Sequence, residues 1–202
     1  PYCFENMNLR TKVREQVSMI RQRGAKAELE LCHVGQYEKV KQGDNAIGPV
    51  AFTREDGIEV KAMDEAMMDD IANKFAQGAL DAKAYGFDMV MLHFAHGWLP
   101  AQFLSPYFNK RTDKYGGSFT NRIKFPTMIV DRVREAVGPD FALDMRISGY
   151  EHVEGAMDPD EVVAFVKSIE NKIDMVHISC GLEQNLETMG HMSTSAYQPH
   201  KY

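Results

Sequence analysis

Apolar residues recur every three to four positions over four stretches of the 202-residue chain, and each stretch is followed by a short strand-like run. Asn8 to Arg23 sets Val13, Val17 and Ile20 on one stripe and stops at Gly24, the residue type that most easily takes the left-handed cap conformation. Asp64 to Tyr85 repeats the pattern with Ile71, Phe75, Ala79 and Ala82 and ends at Gly86. A third helix is predicted from about Asn121 to Val137, with Ile129 and Val133 inward and Gly138-Pro139 as its stop. The fourth starts with Asp158 as N-cap and Pro159 where a missing N–H costs nothing. There Glu161 completes a capping-box-like start before Val162, Phe165, Val166 and Ile169.

The strands that follow are Lys26 to Cys32, Phe87 to Phe94, Phe141 to Ser148 and Asp174 to Cys180. Side chains alternate across a strand, so Ala27, Leu29 and Leu31 face away from Glu28, Glu30 and Cys32. Leu143, Met145 and Ile147 likewise oppose Asp144, Arg146 and Ser148, and Val176 and Ile178 oppose His177 and Ser179. Helices alternating with strands indicate a βαβ architecture with a parallel sheet. An open sheet covered on both sides would be apolar on both faces. A closed (β/α)₈ TIM barrel accounts better for one polar face, because its lumen carries chemistry near the C-terminal mouth. An α/β layer with an exposed edge is the alternative. A full barrel needs about 250 residues, so residues 1–202 are expected to be one incomplete TIM-barrel domain of about four central βα units. The missing units would come from a longer parent chain or from partners, including further copies of this chain as a homo-oligomer.

Composition narrows the function. A net charge of −6 argues against a nucleic-acid partner, no apolar run reaches a membrane span, and no signal peptide opens the chain. The three cysteines, Cys3, Cys32 and Cys180, are too far apart for a metal knuckle and read as reduced thiols in a cytoplasmic protein. The 13 methionines are read as core filler, and Asn109 to Lys114 as a structural loop.

The densest chemistry is Met91-Leu92-His93-Phe94-Ala95-His96-Gly97-Trp98, at the C-terminal end of a strand. His93 has lumen-facing parity and His96 follows in the first turn of the loop. Both imidazoles are therefore expected to converge, as a pair donating to one substrate oxygen. A divalent metal site with His33 as third ligand is the alternative use of the same residues. Tyr37 and Tyr150 are candidates to border a substrate.

The surrounding segments are specific. Gln102-Phe103-Leu104-Ser105-Pro106 runs into Asn109-Lys110-Arg111-Thr112-Asp113-Lys114-Tyr115-Gly116-Gly117-Ser118 and Asn121-Arg122. With His93 to Leu99, this series resembles the Old Yellow Enzyme family of flavin-dependent oxidoreductases. Glu30 to Gln36, Ala46 to Val50, Gly86 to Val90 and Met145 to Ser148 extend the resemblance in unbroken order over residues 24–181. Ser193 and Ser195 before Tyr197-Gln198-Pro199-His200 are most similar to the 2-enoate reductase, 2,4-dienoyl-CoA reductase and bile-acid oxidoreductase branch.

The resemblance implies an FMN-dependent barrel enzyme that moves hydride from NADH or NADPH to an α,β-unsaturated carbonyl compound, or the reverse desaturation. It implies that His93 and His96 grip the substrate carbonyl; Trp98, His33 and Tyr37 are expected to line the pocket. Glu30 and Arg146 match the positions that hold the flavin, and the resemblance implies no metal. It also implies a C-terminal 4Fe–4S and FAD region in that branch, outside this sequence. The loops that carry the flavin phosphate in such barrels are outside it too, so these residues alone are expected to hold FMN weakly.

Two positions depart from the family pattern. Glu30 stands where the family has a glutamine, adding negative charge at the flavin's pyrimidine edge. Trp98 stands where the family has its proton-donating tyrosine, and an indole N–H is far too weak an acid for that role. A metal-assisted lyase using His33, His93 and His96, and a catalytically lapsed scaffold, remain the rival readings.

Overall fold

A computed structural model describes residues 7–41 and 44–182. Helix α1 (Met7–Gln22) leads to strand β1 (Glu28–Leu31), then to a 3₁₀ turn at Gly35–Tyr37 and three short strands, β2 (Ala46–Gly48), β3 (Phe52–Thr53) and β4 (Glu59–Ala62). Helix α2 (Glu65–Ala84) carries the chain to β5 (Met89–Phe94). Helices α3 (Leu99–Leu104), α4 (Phe119–Arg122) and α5 (Lys124–Val137) precede β6 (Ala142–Tyr150), and α6 (Pro159–Ile169) precedes β7 (Met175–Cys180).

The long strands form one parallel sheet in the order β1-β5-β6-β7. On its apolar face Val90, Leu92, Phe94, Leu143, Met145 and Ile147 are at most 2% exposed, packed under α2, α5 and α6. Burial of each such side chain contributes about 1.5–3 kcal/mol. Leu31 of β1 approaches within 3.1 Å of where a Cβ on Gly78 of α2 would sit, so a glycine there lets helix and strand pack closely. Phe165 of α6 stacks on Phe94, with ring centroids 6.4 Å apart. The opposite face carries Glu28, Glu30, His93, Asp144, Arg146, Ser148, His177 and Ser179.

This one-sided polarity and the parallel order are those of part of a (β/α)₈ barrel wall. Among the described residues β1 and β7 each have one strand neighbour, and Ile178 on the apolar side of β7 is 59% exposed. No helix among them is long and apolar enough to cross a membrane.

Several expectations need correction. Ile20 is 39% exposed, not buried, because α1 meets the chain mainly at the Tyr85-Gly86 turn: Arg14 stacks over the Tyr85 ring and Arg21 donates to Gly86 O. The third helix is interrupted at Ile123, giving α4 and α5. Asp158 does cap α6 by accepting from the Asp160 N–H. Glu161, however, turns away from a capping box to pair with the buried guanidinium of Arg122 at 2.5 Å. The small sheet β2-β4-β3 between β1 and α2 has strands of only two to four residues, too short for periodicity to reveal. Cys3, Ser193, Ser195 and Tyr197 to His200 lie outside the described residues.

Candidate active site

Neighbouring strands are in a register that sets His93 beside Arg146, Arg146 beside His177, and Ser148 beside Ser179. The polar face is thereby assembled at the C-terminal ends of the strands, where this architecture keeps its chemistry. Four groups then form a continuous hydrogen-bonded row. Glu30 Oε1 lies 2.9 Å from His93 Nδ1, His93 Nε2 lies 3.1 Å from His96 Nδ1, and His96 Nε2 lies 2.7 Å from Ser179 Oγ. His93 and His96 are 4% and 3% exposed.

The row depends on an unusual backbone. His96 sits at φ +59°, a left-handed conformation that L residues rarely adopt, and its N–H donates to Ser148 Oγ at 3.0 Å. Gly97 follows at φ +77°, where a Cβ would meet Leu182 and Phe108 at 3.3 Å. This tight reversal swings the His96 ring back onto His93, with ring centroids 5.0 Å apart.

A carboxylate can only accept hydrogen bonds. With Glu30 ionised, the His93 proton sits on Nδ1 and its Nε2 is an acceptor. The His96 proton therefore sits on Nδ1 as well, and His96 Nε2 accepts from Ser179. Burial holds the His93 imidazole below its ordinary range despite the opposing pull of Glu30, and burial reinforced by His93 brings His96 down to about 4. Both rings are neutral at neutral pH. With Glu30 ionised the two rings therefore donate in series in this geometry, not in parallel.

Arg146 lies beside the row, its guanidinium 4.0 Å from Glu30 Oε2. Its Nε is buried and has no hydrogen-bond partner among the described residues. Below it, burial pushes the Asp144 carboxyl up, and burial with Asp144 does the same to Glu28.

The loops above the face are stapled by Gln102, which is fully buried. Its amide donates to Gly97 O at 2.7 Å and to Val34 O at 3.1 Å, and its Oε1 accepts from the Gln36 N–H at 3.2 Å. One side chain so joins the loop after β1 to the loop after β5. Leu99 N–H donates to His33 O, strengthening the same junction.

His33 itself stays apart from the histidine pair: its Nδ1 accepts from the Gly35 N–H, and burial brings it down to about 4. Among the described residues no three His, Cys, Asp or Glu side chains are grouped to hold a metal ion, which corrects the three-histidine site. Trp98 packs edge-on against His93 at 6.1 Å between ring centroids. Tyr37 packs edge-on against Phe108 at 6.4 Å, and Tyr150 against His152.

Ser179 and Ser148 were missed as site residues, although strand parity places both on the polar face. Glu151 was missed altogether. It is 4% exposed, accepts from Ser105 Oγ at 2.6 Å, and burial pushes its carboxyl to about 7. No sequence signal marks it.

Residues 1–198 match the NADH:flavin oxidoreductase / NADH oxidase family. The chain is 34% identical over 173 residues to the NADH oxidase of Thermoanaerobacter brockii, covering 82% of this chain and 26% of that protein. It is 36% identical over 168 residues to the NADPH dehydrogenase of Halalkalibacterium halodurans, covering 83% of this chain and 48% of that protein. The chain thus spans about half or less of the curated relatives it matches. Its fold superposes on 2-naphthoyl-CoA reductase with a TM-score of 0.78 at 25% identity, over 88% of this chain and 30% of that one. On morphinone reductase in complex with tetrahydroNAD it superposes with a TM-score of 0.73 at 28% identity, over 86% and 54%.

Proposed function

Because the chain belongs to the NADH:flavin oxidoreductase / NADH oxidase family, we propose that the full protein is an FMN-dependent oxidoreductase that moves hydride between NADH or NADPH and an α,β-unsaturated carbonyl compound. The observation that carries this reading is the buried Arg146 Nε, without a hydrogen-bond partner among the described residues, on the same polar face as His93 and His96. A fixed cationic donor there suits the electron-rich pyrimidine edge of a flavin, which gains negative charge on reduction. Glu30 Oε2 is left for the ring N3–H, since Oε1 is taken by His93. These residues fit FMN: Arg146 and Glu30 would hold its pyrimidine edge, and bound flavin would supply hydride transfer at N5.

The chain's own groups do the rest. His93 and His96 position the carbonyl oxygen and control its proton, while Trp98 and Tyr37 line the pocket and limit water. His33 braces the loop that carries His96 and Trp98. The NADH oxidase and NADPH dehydrogenase named among the relatives support the nicotinamide donor. Within the same proposal residues 1–202 form one partial barrel domain of a cytoplasmic protein that acts on small molecules.

Anaerobic mixing of the full-length protein with NADPH and cyclohex-2-enone tests the reading. Enone-dependent oxidation of NADPH is expected. Oxidation that stays independent of enone, with unsaturated aldehydes equally inert, overturns it.

A further inference from the structure

The row Glu30–His93–His96–Ser179 ends in an acceptor. Glu30 as a carboxylate orders both ring protons toward itself, so His96 Nε2 offers a lone pair, which Ser179 O–H fills. A carbonyl oxygen is also an acceptor and gains nothing from such a row. Adding one proton reverses it: His93 then holds protons on both nitrogens, His96 accepts at Nδ1, and His96 Nε2–H points outward as a donor.

We propose that a carbonyl ligand enters this site together with one proton from water, which Glu30 as a positioning residue stores on His93 and which His96 Nε2 then presents to the ligand oxygen. This rests on the hydride-transfer reading. Once the β-carbon has accepted hydride, the enolate oxygen carries the negative charge. The His96 Nε2–H bond breaks, its electron pair stays on nitrogen, and an O–H bond forms. The proton on His93 Nε2 moves to His96 Nδ1 in the same motion, which regenerates the row seen in the structure. The product leaves as an enol and becomes the ketone in water, so no side-chain acid is needed at the α-carbon, where Trp98 supplies none.

The charged and titratable groups facing the row are Glu30 from β1, Arg146 from β6 and His177 from β7. Arg146 and His177 disfavour an extra positive charge and Glu30 favours it, so the proton is taken up only when a ligand oxygen repays it. Burial lowers both rings below their ordinary range, which agrees with two uncharged imidazoles in the resting row.

Cyclohex-2-enone binding to the full-length, oxidised protein without reductant tests this across pH 7–9. Its Kd is expected to rise about tenfold per pH unit, one proton per ligand. In Glu30→Gln the amide N–H can donate to His93 Nδ1, so the donor-out row forms without net charge and the slope disappears. Ser179→Ala removes the competing hydroxyl, giving tighter binding with the slope kept. Nitrogen NMR of the histidine rings gives a second readout that needs no ligand: Nδ1 is expected to carry the proton on both His93 and His96, and Nε2 on His93 in Glu30→Gln. A flat Kd in the parent, an unchanged slope in Glu30→Gln, a slope lost in Ser179→Ala, or Nε2–H on either ring of the parent overturns the proposal. A protein that holds no flavin, or binds no enone at any pH, defeats the hydride-transfer reading instead, and the ring protonation states still judge the row.

Discussion

His96 Nδ1 lies 3.1 Å from His93 Nε2, so only one of the two rings can hold a proton in the gap between them. That single constraint couples the protonation of the whole site to Glu30. It also gives the departure at Glu30 a purpose, because a glutamine there would not force the ring protons to one side.

The same carboxylate sits where the flavin's pyrimidine edge is expected, 4.0 Å from the Arg146 guanidinium. Glu30→Gln removes a negative charge that opposes reduction, so the flavin midpoint potential should rise. A two-electron couple shifts by about 30 mV for each 1.4 kcal/mol. Spectroelectrochemical titration of both proteins reads the change, and a potential that stays put or falls counts against a role for Glu30 at the flavin.

Trp98 borders His93 and carries no usable acid. In deuterated water the parent should add its α-deuterium without preference for a face, since the enol collapses in solution. Trp98→Tyr should place a general acid in the pocket, make α-deuteration face-selective, and speed turnover by up to about 10²-fold. Unchanged rate and unchanged stereochemistry in the variant would sink the idea that the missing acid shapes this enzyme.

Much of this arrangement was legible in the chain. Strand parity alone put Glu30, His93, Arg146, His177 and Ser179 on one face, because the two-residue period is strict and the opposite face is uniformly apolar. What could not be read is what depends on one backbone angle or on distant partners. Nothing marks His96 as left-handed, and it is that turn which swaps a convergent pair for a serial one. Glu161 was misassigned because a capping box is local, whereas its partner Arg122 comes from 39 residues away. Strands as short as Phe52–Thr53 carry no period.

Gly35 at φ +63° leaves no room for a side chain: a Cβ would lie 2.4 Å from Gln102 Oε1. Gly35→Ala should therefore strain the backbone and displace the amide that joins the loops after β1 and β5, costing about 1–3 kcal/mol. Chemical denaturation of parent and variant measures this. A variant of equal stability would show that Gln102 is not the staple described.

Glu151 supplies a pH signature. Its carboxyl is raised from 4.5 to about 7 by burial, so the folded state keeps a proton that the unfolded chain has lost. Stability should then fall as pH rises from about 4.5 to about 7 and level off above, by an amount on the order of 3 kcal/mol. Glu151→Gln should remove that part of the pH dependence and be relatively more stable at pH 8 than at pH 5. Parallel pH profiles for the two proteins would refute the assignment.

If the Arg146 and His93–His96 face serves bound FMN, the visible spectrum of the purified full-length protein shows it directly. A yellow protein is expected, with flavin absorption that bleaches under anaerobic NADH or NADPH and recovers when an enone is added. A colourless protein that also fails to take up added FMN would contradict it.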